Sequence, residues 1–297
     1  MNLISPFQNN SNKIYIVFMI LAMACFTIRD MISKYFGEFM PISQILIIIG
    51  SLGTSVFFVI ALFTNKTLFH SDFISPPFFT RFICELFASI FFVISIVFGS
   101  LAITTAIMQT IPIFIALGSI FFFEKKVRFL VWLMILCGLF GVILIIKPGT
   151  DKFDSLTLLA VLSVLCLTGK DLSMYSIKES IPPVTLCFWG FLALLFGGIL
   201  CVPFFGVFEE IPLKMIPLIL LLGSVTPLAY LSLVFATRGG DISVVSSFRY
   251  SRLIFSLVVG VVFFHEKLDL ISLIGCIFII SSGMILTFSS SSSETKG

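Results

Sequence analysis

The sequence predicts an all-α membrane protein whose ten transmembrane helices form two inverted five-helix repeats. Of its 297 residues, 59% are hydrophobic and only 11% are charged, whereas a soluble domain usually has about a quarter charged residues. Apolar runs long enough to cross a bilayer recur along the whole chain. Two polar motifs of the first half also recur in the second half. These three observations together predict the fold class.

The predicted spans are runs of about 20 mostly apolar residues, separated by short polar, proline or glycine breaks. The run that follows residues 1–13 is too long for a signal-peptide core and has no small-residue cleavage site, so we interpret it as a retained first span. Residues 289–297 are rich in serine and are predicted to be disordered. The spans lie at 14–36, 44–64, 80–99, 104–123, 130–147, 156–177, 184–204, 214–235, 242–264 and 268–288.

The distribution of basic residues predicts the orientation in the membrane. An even number of spans places both termini on one side, and Lys and Arg concentrate in cytoplasmic loops. With cytoplasmic termini, the inner segments hold Lys13, Lys66, Arg81, Lys125, Lys126, Arg128, Lys178, Arg238 and Lys296. The outer segments then hold the smaller set of Lys34, Lys147, Lys152, Lys214 and Lys267. We therefore expect both termini to be cytoplasmic.

An internal repeat divides the chain into residues 1–150 and 151–297, with five spans each. Residues 25–41 (CFTIRDMISKYFGEFMP) match residues 166–182 (CLTGKDLSMYSIKESIP) at an offset of 141, which aligns Asp30 with Asp171 and Arg29 with Lys170. Residues 121–127 (FFFEKKV) match residues 263–269 (FFHEKLD) at an offset of 142. Because five is odd, the second half starts on the opposite side of the membrane. Such inverted repeats are typical of secondary transporters, which bind substrate near mid-membrane between the repeats.

Several ionisable residues lie inside the predicted spans, where each costs at least about 2.5 kcal/mol. They persist when they are paired or when they line a wet cavity. Glu85 either lines the pathway or forms an i,i+4 ion pair with Arg81, which lies one turn earlier on the helix. Arg249 and Arg252 are three residues apart on one helix face, and Asp30 and Asp171 are their expected partners. The alternative to a binding role is that these residues only hold helices together. The candidates are Arg29, Asp30, Glu85, Lys170, Asp171, Arg249 and Arg252.

The candidate set carries more positive than negative charge, which favours an anionic ligand group such as a carboxylate or phosphate. Polar residues next to Pro112 predict an irregular fourth span, and the repeat offset aligns Thr110 with Arg252. The candidate substrate pathway therefore comprises Arg29, Asp30, Glu85, Gln109, Thr110, Lys170, Asp171, Arg249, Tyr250 and Arg252.

The two halves, each with an acidic residue in its first helix and a Glu after its fourth, resemble EamA-type members of the drug/metabolite transporter superfamily over essentially the whole chain. RDMISKYFG at 29–37, KDLSMYSIKES at 170–180 and FRYSRLIFSLVVGVVFFHEKLD at 248–269 are especially similar to bacterial S-adenosylmethionine uptake transporters. Many relatives carry an Arg in the second span, whereas ILIIIGSLG at 45–53 has no charge.

The resemblance implies a transporter of the bacterial inner membrane that has no cofactor and is not an enzyme. S-adenosylmethionine, taken up or exchanged, is the leading substrate, and export of amino acids or drugs is the alternative. The expected partners are a small-molecule substrate and membrane lipid, while monomer and homodimer both remain open.

Other functional classes fit the sequence less well. No cluster of basic residues is long enough to follow a phosphate backbone, so nucleic acid is not an expected partner. The chain has two His and no C-x-x-C spacing, so no metal site is expected, and it has no P-loop. An intramembrane aspartyl protease would use Asp30 and Asp171, but neither lies in a G-x-G-D motif. A channel would show polar rings along several helices, whereas polarity here clusters at a few depths.

Overall fold

The computed structural model describes residues 12–69, 75–123, 129–147, 154–173, 181–206, 208–239, 245, 248–267 and 269–294. All regular secondary structure within these ranges is helical. Short 3-10 turns at Leu213–Met215 and Phe248–Tyr250 precede two of the helices. In chain order the helices are α1 (Asn12–Phe36), α2 (Ile42–Phe63), α3 (Pro76–Phe98), α4 (Leu101–Met108), α5 (Ile111–Phe123), α6 (Phe129–Ile146), α7 (Ser155–Ser173), α8 (Pro183–Phe205), α9 (Ile216–Gly239), α10 (Ser251–Phe264) and α11 (Leu270–Glu294).

Seven segments of the described chain are long and apolar enough to cross a membrane: Lys13–Phe36, Ile42–Phe63, Pro76–Phe98, Leu101–Gly118, Ser155–Ser173, Pro183–Phe205 and Leu213–Ala236. Two shorter apolar helices, Trp132–Ile146 and Leu270–Ile285, lie where the fifth and tenth spans are predicted. The predicted ninth span is described only in part, and α10 has 14 residues. The structure thus has seven clear candidate spans, and the count of ten remains a prediction.

The predicted fourth span is two helices rather than one. α4 ends at Met108 and α5 begins at Ile111. The backbone N–H groups of Gln109 and Thr110 donate to carbonyls three residues earlier, at 3.1 and 3.0 Å, and Pro112 has no N–H to donate. The irregularity predicted here is therefore a break in the helix. α10 begins at Ser251, which is the residue aligned with Gln109 by the offset of 142.

The last helix extends into the serine-rich segment for which the sequence predicts disorder. α11 continues to Glu294 and so includes most of the serine-rich segment. Serine lowers helix stability only slightly relative to alanine, and extending an existing helix adds one hydrogen bond for each residue that is ordered. Lys152, Lys296 and the loop residues Glu124, Lys125, Lys126, Arg128, Lys178 and Glu179, which enter the orientation and repeat arguments, lie outside the described residues.

The helices of the two halves interleave instead of forming separate bundles. The most extensive helix pairs are α2 with α8, α3 with α7, α1 with α9 and α6 with α11, and each pair joins one helix from each half. The rings of Phe57 and Phe191 stack at 5.5 Å between α2 and α8. The backbones of α6 and α11 touch, because a Cβ at Gly141 or at Gly275 would lie 2.7 Å from the carbonyl oxygen of the other glycine. Such close approach is common between membrane helices.

Large apolar side chains also cover the outside of the helices. Leu62, Phe63, Phe121, Leu220 and Ile277 are among those that are more than half exposed. A soluble monomer rarely exposes so many large apolar side chains, whereas lipid tails solvate them. Because the outside of the helices is apolar, polar side chains are buried between helices, and the main helix pairs join the two halves.

Candidate functional site

The first charged cluster joins α1 to α10 around a fully buried carboxylate. The side chain of Asp30 has no exposed surface. Its Oδ1 accepts hydrogen bonds from the Nε and a terminal nitrogen of Arg29 at 3.0 and 2.7 Å. Its Oδ2 accepts one from a terminal nitrogen of Arg252 at 2.5 Å. The pairing of Asp30 with Arg252 follows the sequence-based expectation, and it connects the two halves.

Two phenylalanine rings hold both guanidinium groups of this cluster. The Cζ of Arg29 lies 5.3 Å from the ring centroid of Phe26 and 5.6 Å from that of Phe92. The Cζ of Arg252 lies 5.4 and 5.6 Å from the same two centroids. These distances are within the range of cation–π attraction. The rings, which belong to α1 and α3, thus help to hold two like charges close to one carboxylate.

The cluster has unused capacity for an anion. Two guanidinium groups face one carboxylate, which leaves a positive surplus. The Nε atoms of Arg252 and Arg249 are buried and have no hydrogen-bond partner within the described part of the chain. A buried donor without a partner costs about 1–3 kcal/mol. A ligand that brought acceptor oxygens to this position would remove that cost.

Arg249 occupies a different position from the one that the sequence predicts. It lies in the 3-10 turn Phe248–Tyr250, whereas Arg252 lies in the first turn of α10, so the two do not share the face of one continuous helix. The side-chain amide of Gln109 donates to the carbonyl oxygen of Arg249 at 2.9 Å. Within the described residues, neither Asp30 nor Asp171 forms an ion pair with Arg249. The break between α4 and α5 therefore supports the turn that carries this arginine.

A second charged cluster lies between α3 and α7. The Nζ of Lys170 is 3.1 Å from the Oε2 of Glu85 and 3.8 Å from the Oδ1 of Asp171. Glu85 therefore pairs with a lysine on another helix, and the interpretation that it pairs with Arg81 is wrong. The side chain of Asp171 is 36% exposed and, within the described residues, pairs with Lys170 and not with the arginines, so the expectation that it is their partner is wrong. A small cavity beside this cluster is lined by Phe78, Arg81, Phe82, Glu85, Trp189 and Gly190.

Tyr230 on α9 lies between the two clusters. Its hydroxyl is within electrostatic range of Glu85, Lys170 and Arg29. Its ring packs edge-on against Phe26 at 5.2 Å and against Phe191 at 4.9 Å. Sequence reasoning missed Phe26, Phe92 and Tyr230, because aromatic residues are so common in this chain that a single one carries no signal.

Thr110 and Tyr250, the remaining candidates, do not take part in the ion pairs of the two clusters. The hydroxyl of Thr110 donates to the carbonyl of Ile107 at 2.6 Å. The hydroxyl of Tyr250 is buried and has no partner among the described residues. The structure therefore brings Arg29, Asp30 and Arg252 together in one place and Glu85, Lys170 and Asp171 in another, with Gln109 and Arg249 beside the first.

A third polar cluster lies at the end of α1, around Glu266, which follows α10 and lies outside the candidate membrane spans. Glu266 accepts hydrogen bonds from the Ser100 hydroxyl at 2.7 Å and from the N–H groups of Leu101 and Ala102 at 2.7 and 3.1 Å. Lys34 lies 3.0 Å from the same carboxylate and also donates to the carbonyl of Gly99. Glu266 thus caps the N-terminus of α4, where the helix dipole favours negative charge.

These contacts change the acidity of Glu266. Burial alone would raise the pKa of this carboxyl, but the hydrogen bonds from Ser100 and Ala102 and the charge of Lys34 outweigh burial, so the pKa lies below its ordinary value. The second repeat motif, which aligns Glu124 with Glu266, was the signal in the sequence, but it did not indicate a cap on a helix of the other half.

Comparison with known proteins gives consistent matches. The sequence profile of the EamA-like transporter family matches residues 13–147 and again residues 155–288. The chain is 21% identical to the S-adenosylmethionine uptake transporter of Rickettsia conorii over 290 residues, which cover 95% of this chain and 96% of that protein. It is 29% identical to the riboflavin transporter of Rhizobium johnstonii over 161 residues, which cover 54% and 52%. A solved crystal structure superposes with a TM-score of 0.61 at 17% identity and covers 95% of this chain and 99% of that one, which shows a shared fold.

Proposed function

This chain belongs to the EamA-like transporter family, and we propose that it is a secondary transporter that moves a small carboxylate-bearing metabolite across the inner membrane by alternating access. Its helices fit a multi-pass membrane transporter, and its relatives are transporters, not enzymes. The substrate site that we propose lies around Arg29, Asp30 and Arg252, at the interface of the two halves.

One observation carries this proposal: a fully buried aspartate lies between two arginines from different halves, and Arg249 nearby has a buried donor with no partner among the described residues. Buried charges in a membrane segment mark substrate or ion pathways. Guanidinium groups bind carboxylates with well-aligned paired hydrogen bonds. The positive surplus therefore favours a substrate with a carboxylate.

The pattern of helix contacts supports the inverted ten-span arrangement. Exchanging the halves maps the pair α1–α9 onto α7–α3, and the pairs α2–α8 and α6–α11 onto themselves. A pseudo-two-fold axis would produce this pattern, and an odd number of spans in each half would place that axis in the membrane plane. Movement of one repeat against the other would then expose the arginine site to each side in turn.

The orientation is tested by a reporter fused after residue 297. With cytoplasmic termini, a reporter that is active only in the cytoplasm gives full signal, and one that is active only in the periplasm gives none. The opposite pattern would overturn the orientation.

We propose S-adenosylmethionine, taken up or exchanged, as the substrate. Its carboxylate suits the arginines, its amine and sulfonium suit Glu85 and the aromatic faces, and its adenine can stack on rings such as those of Phe26, Phe92 and Tyr230. The name of the Rickettsia conorii relative adds support. Export of amino acids or drugs through the same site is the alternative.

The geometry does not favour an intramembrane aspartyl protease. Such enzymes need two carboxylates that share a proton. Asp30 pairs with two arginines and Asp171 lies beside Lys170, so the two aspartates belong to different clusters.

The test is uptake of labelled metabolites by proteoliposomes, with and without an imposed pH gradient. The panel holds S-adenosylmethionine, riboflavin, several amino acids and a cationic drug. We expect S-adenosylmethionine to enter wild-type vesicles and not vesicles with Arg252→Gln, while Lys66→Gln, a matched loss of an exposed positive charge, transports normally. Wild-type transport that is restricted to compounds without a carboxylate, or full transport by Arg252→Gln, would overturn the proposed site.

A further inference from the structure

Asp30 occupies one of the donors that a carboxylate substrate would use. It presents to Arg252 the same chemical group that the proposed substrate carries, and its Oδ2 already accepts the hydrogen bond at 2.5 Å. We propose that the substrate carboxylate replaces Asp30 at Arg252, and that loss of this ion pair releases α1 from α10 and so couples binding to movement of the two halves. The inference rests on the proposed function because it concerns the same arginine site.

The arrangement allows Asp30 to leave Arg252 without becoming an unpaired buried charge. Arg29 donates two hydrogen bonds to Oδ1 and none to Oδ2, so this contact survives the exchange. Removing the partner of a buried ion pair otherwise costs about 3–5 kcal/mol. The neighbouring arginine thus makes the exchange at Arg252 inexpensive.

The incoming group can form more hydrogen bonds on the side of α10 than Asp30 does. Asp30 accepts a single hydrogen bond from Arg252. The Nε atoms of Arg252 and Arg249 are buried donors with no partner within the described ranges. Two carboxylates beside one guanidinium repel each other in a low-dielectric site, so a carboxylate that takes the free Nε of Arg252 drives Asp30 away.

The ion pair that would break is a tie between the halves. Phe26, Asp30 and Lys34 follow one another at four-residue intervals and therefore share one face of α1. Phe26 contacts Arg252, Asp30 pairs with Arg252, and Lys34 pairs with Glu266 just beyond α10. Losing the central contact of this face weakens the attachment of α1 to α10, so that α10 can move relative to α1 during alternating access.

The decisive experiment crosses one residue change with one ligand change. Equilibrium binding of S-adenosylmethionine and of its decarboxylated analogue is measured on the full chain in nanodiscs for wild type, Asp30→Asn and the exposed acid-to-amide control Glu210→Gln. We expect Asp30→Asn to bind S-adenosylmethionine about fivefold or more tightly, to bind the analogue as wild type does, and to show a reduced maximal uptake rate. Weaker or unchanged S-adenosylmethionine binding, or an equal shift for both ligands, would overturn the exchange.

Hydrogen exchange of the first turn of α10, residues 251–255, tests the tie itself. In wild type, S-adenosylmethionine should raise exchange there to the level that Asp30→Asn shows without ligand, and adding ligand to Asp30→Asn should raise it no further. An additive effect of ligand and substitution would contradict a shared cause.

Two further arms separate this inference from the proposed function. If wild type binds no compound of the panel, the proposed substrate class is wrong. The ion pair is then tested without ligand, by hydrogen exchange of residues 251–255 in Asp30→Asn and in Arg252→Gln. Both variants must raise exchange equally, or the proposed tie between α1 and α10 is wrong. If Asp30→Asn does not fold, Arg252→Lys takes its place. This variant keeps the charge and loses Nε, so exchange should stay at the wild-type level while S-adenosylmethionine binding weakens, and any other combination contradicts the exchange.

Discussion

The pair Arg29–Asp30 and the pair Lys170–Asp171 occupy equivalent positions in the two repeats, yet their environments differ. Asp30 has no exposed surface and contacts two arginines, whereas the side chain of Asp171 is 36% exposed and lies 3.8 Å from its neighbouring lysine. Lys170 instead pairs with Glu85 on α3 at 3.1 Å. The same motif therefore forms a tie to α10 in one half and a tie to α3 in the other.

Two single-residue differences between the repeats account for this asymmetry. The residue aligned with Arg252 is Thr110, whose hydroxyl bonds to its own backbone turn, so Asp171 meets no arginine from α4 or α5. The residue aligned with Glu85 is Thr226 or Pro227, depending on the offset of 141 or 142, so Arg29 meets no acid from α9. A duplicated motif thus acquires different roles through the residues opposite it.

The largest expected effect tests the two aspartates against each other. The sequence, which aligns the two aspartates, predicts a strong loss of transport on neutralising either one, whereas the structure leads us to expect a strong difference. Asp30→Ala leaves two buried arginines without their carboxylate, at a cost of about 3–5 kcal/mol, and should abolish transport. Asp171→Ala removes a half-exposed partner worth about 0–1 kcal/mol. Thermal unfolding and labelled uptake measured side by side check this, and equal losses in both variants would show that the two environments are functionally the same.

A smaller effect is expected from the second cluster. Among the described residues, Glu85→Gln leaves Lys170 with the more distant Asp171 alone, and it should reduce uptake and thermal stability. Lys170→Gln in addition should recover part of the loss, because residues in contact couple by about 0.5–3 kcal/mol. A double-mutant cycle on thermal stability measures this coupling. Additive losses would mean that Glu85 and Lys170 act independently and that the cluster is not the counterpart of the arginine tie.

A charge-preserving change separates binding from neutralisation at the arginines. Arg249→Lys and Arg252→Lys keep the charge balance but lose the paired hydrogen bonds of a guanidinium. We expect half-saturation of uptake to rise by about tenfold, which corresponds to about 1.4 kcal/mol, while Lys170→Arg in the other cluster leaves it nearly unchanged. Unchanged half-saturation in both Lys variants would leave the arginines as structural ties only.

The smallest effect concerns Glu266 and depends on pH. Its folded pKa lies below the ordinary value of 4.5, so its stabilising contribution is present above that value and is lost as the pH falls through the folded pKa. Glu266→Gln should therefore lower the unfolding temperature by a few degrees at pH 7 and make little difference at the acidic end of the range. Glu124→Gln, its counterpart in the first repeat, shows whether this later motif has diverged as the aspartates have. If Glu266→Gln lowered the unfolding temperature by the same amount at every pH, the charge of the capping carboxylate would not be the cause.

The sequence by itself determined the membrane class, the positions of most helices, the duplication and the set of charges inside the helices. These properties are local: span length and apolar composition follow from the thickness of a bilayer, and a repeat is visible as a constant offset. Apart from the pairing of Asp30 with Arg252, which the sequence predicted, the tertiary structure alone decided which charges meet. Glu85 lies four residues from Arg81 but pairs with Lys170, and Glu266 caps a helix of the other half. Such pairings join residues far apart in the chain, and they depend on how each helix is rotated and packed against its neighbours, which hydrophobic patterns in a membrane helix do not encode.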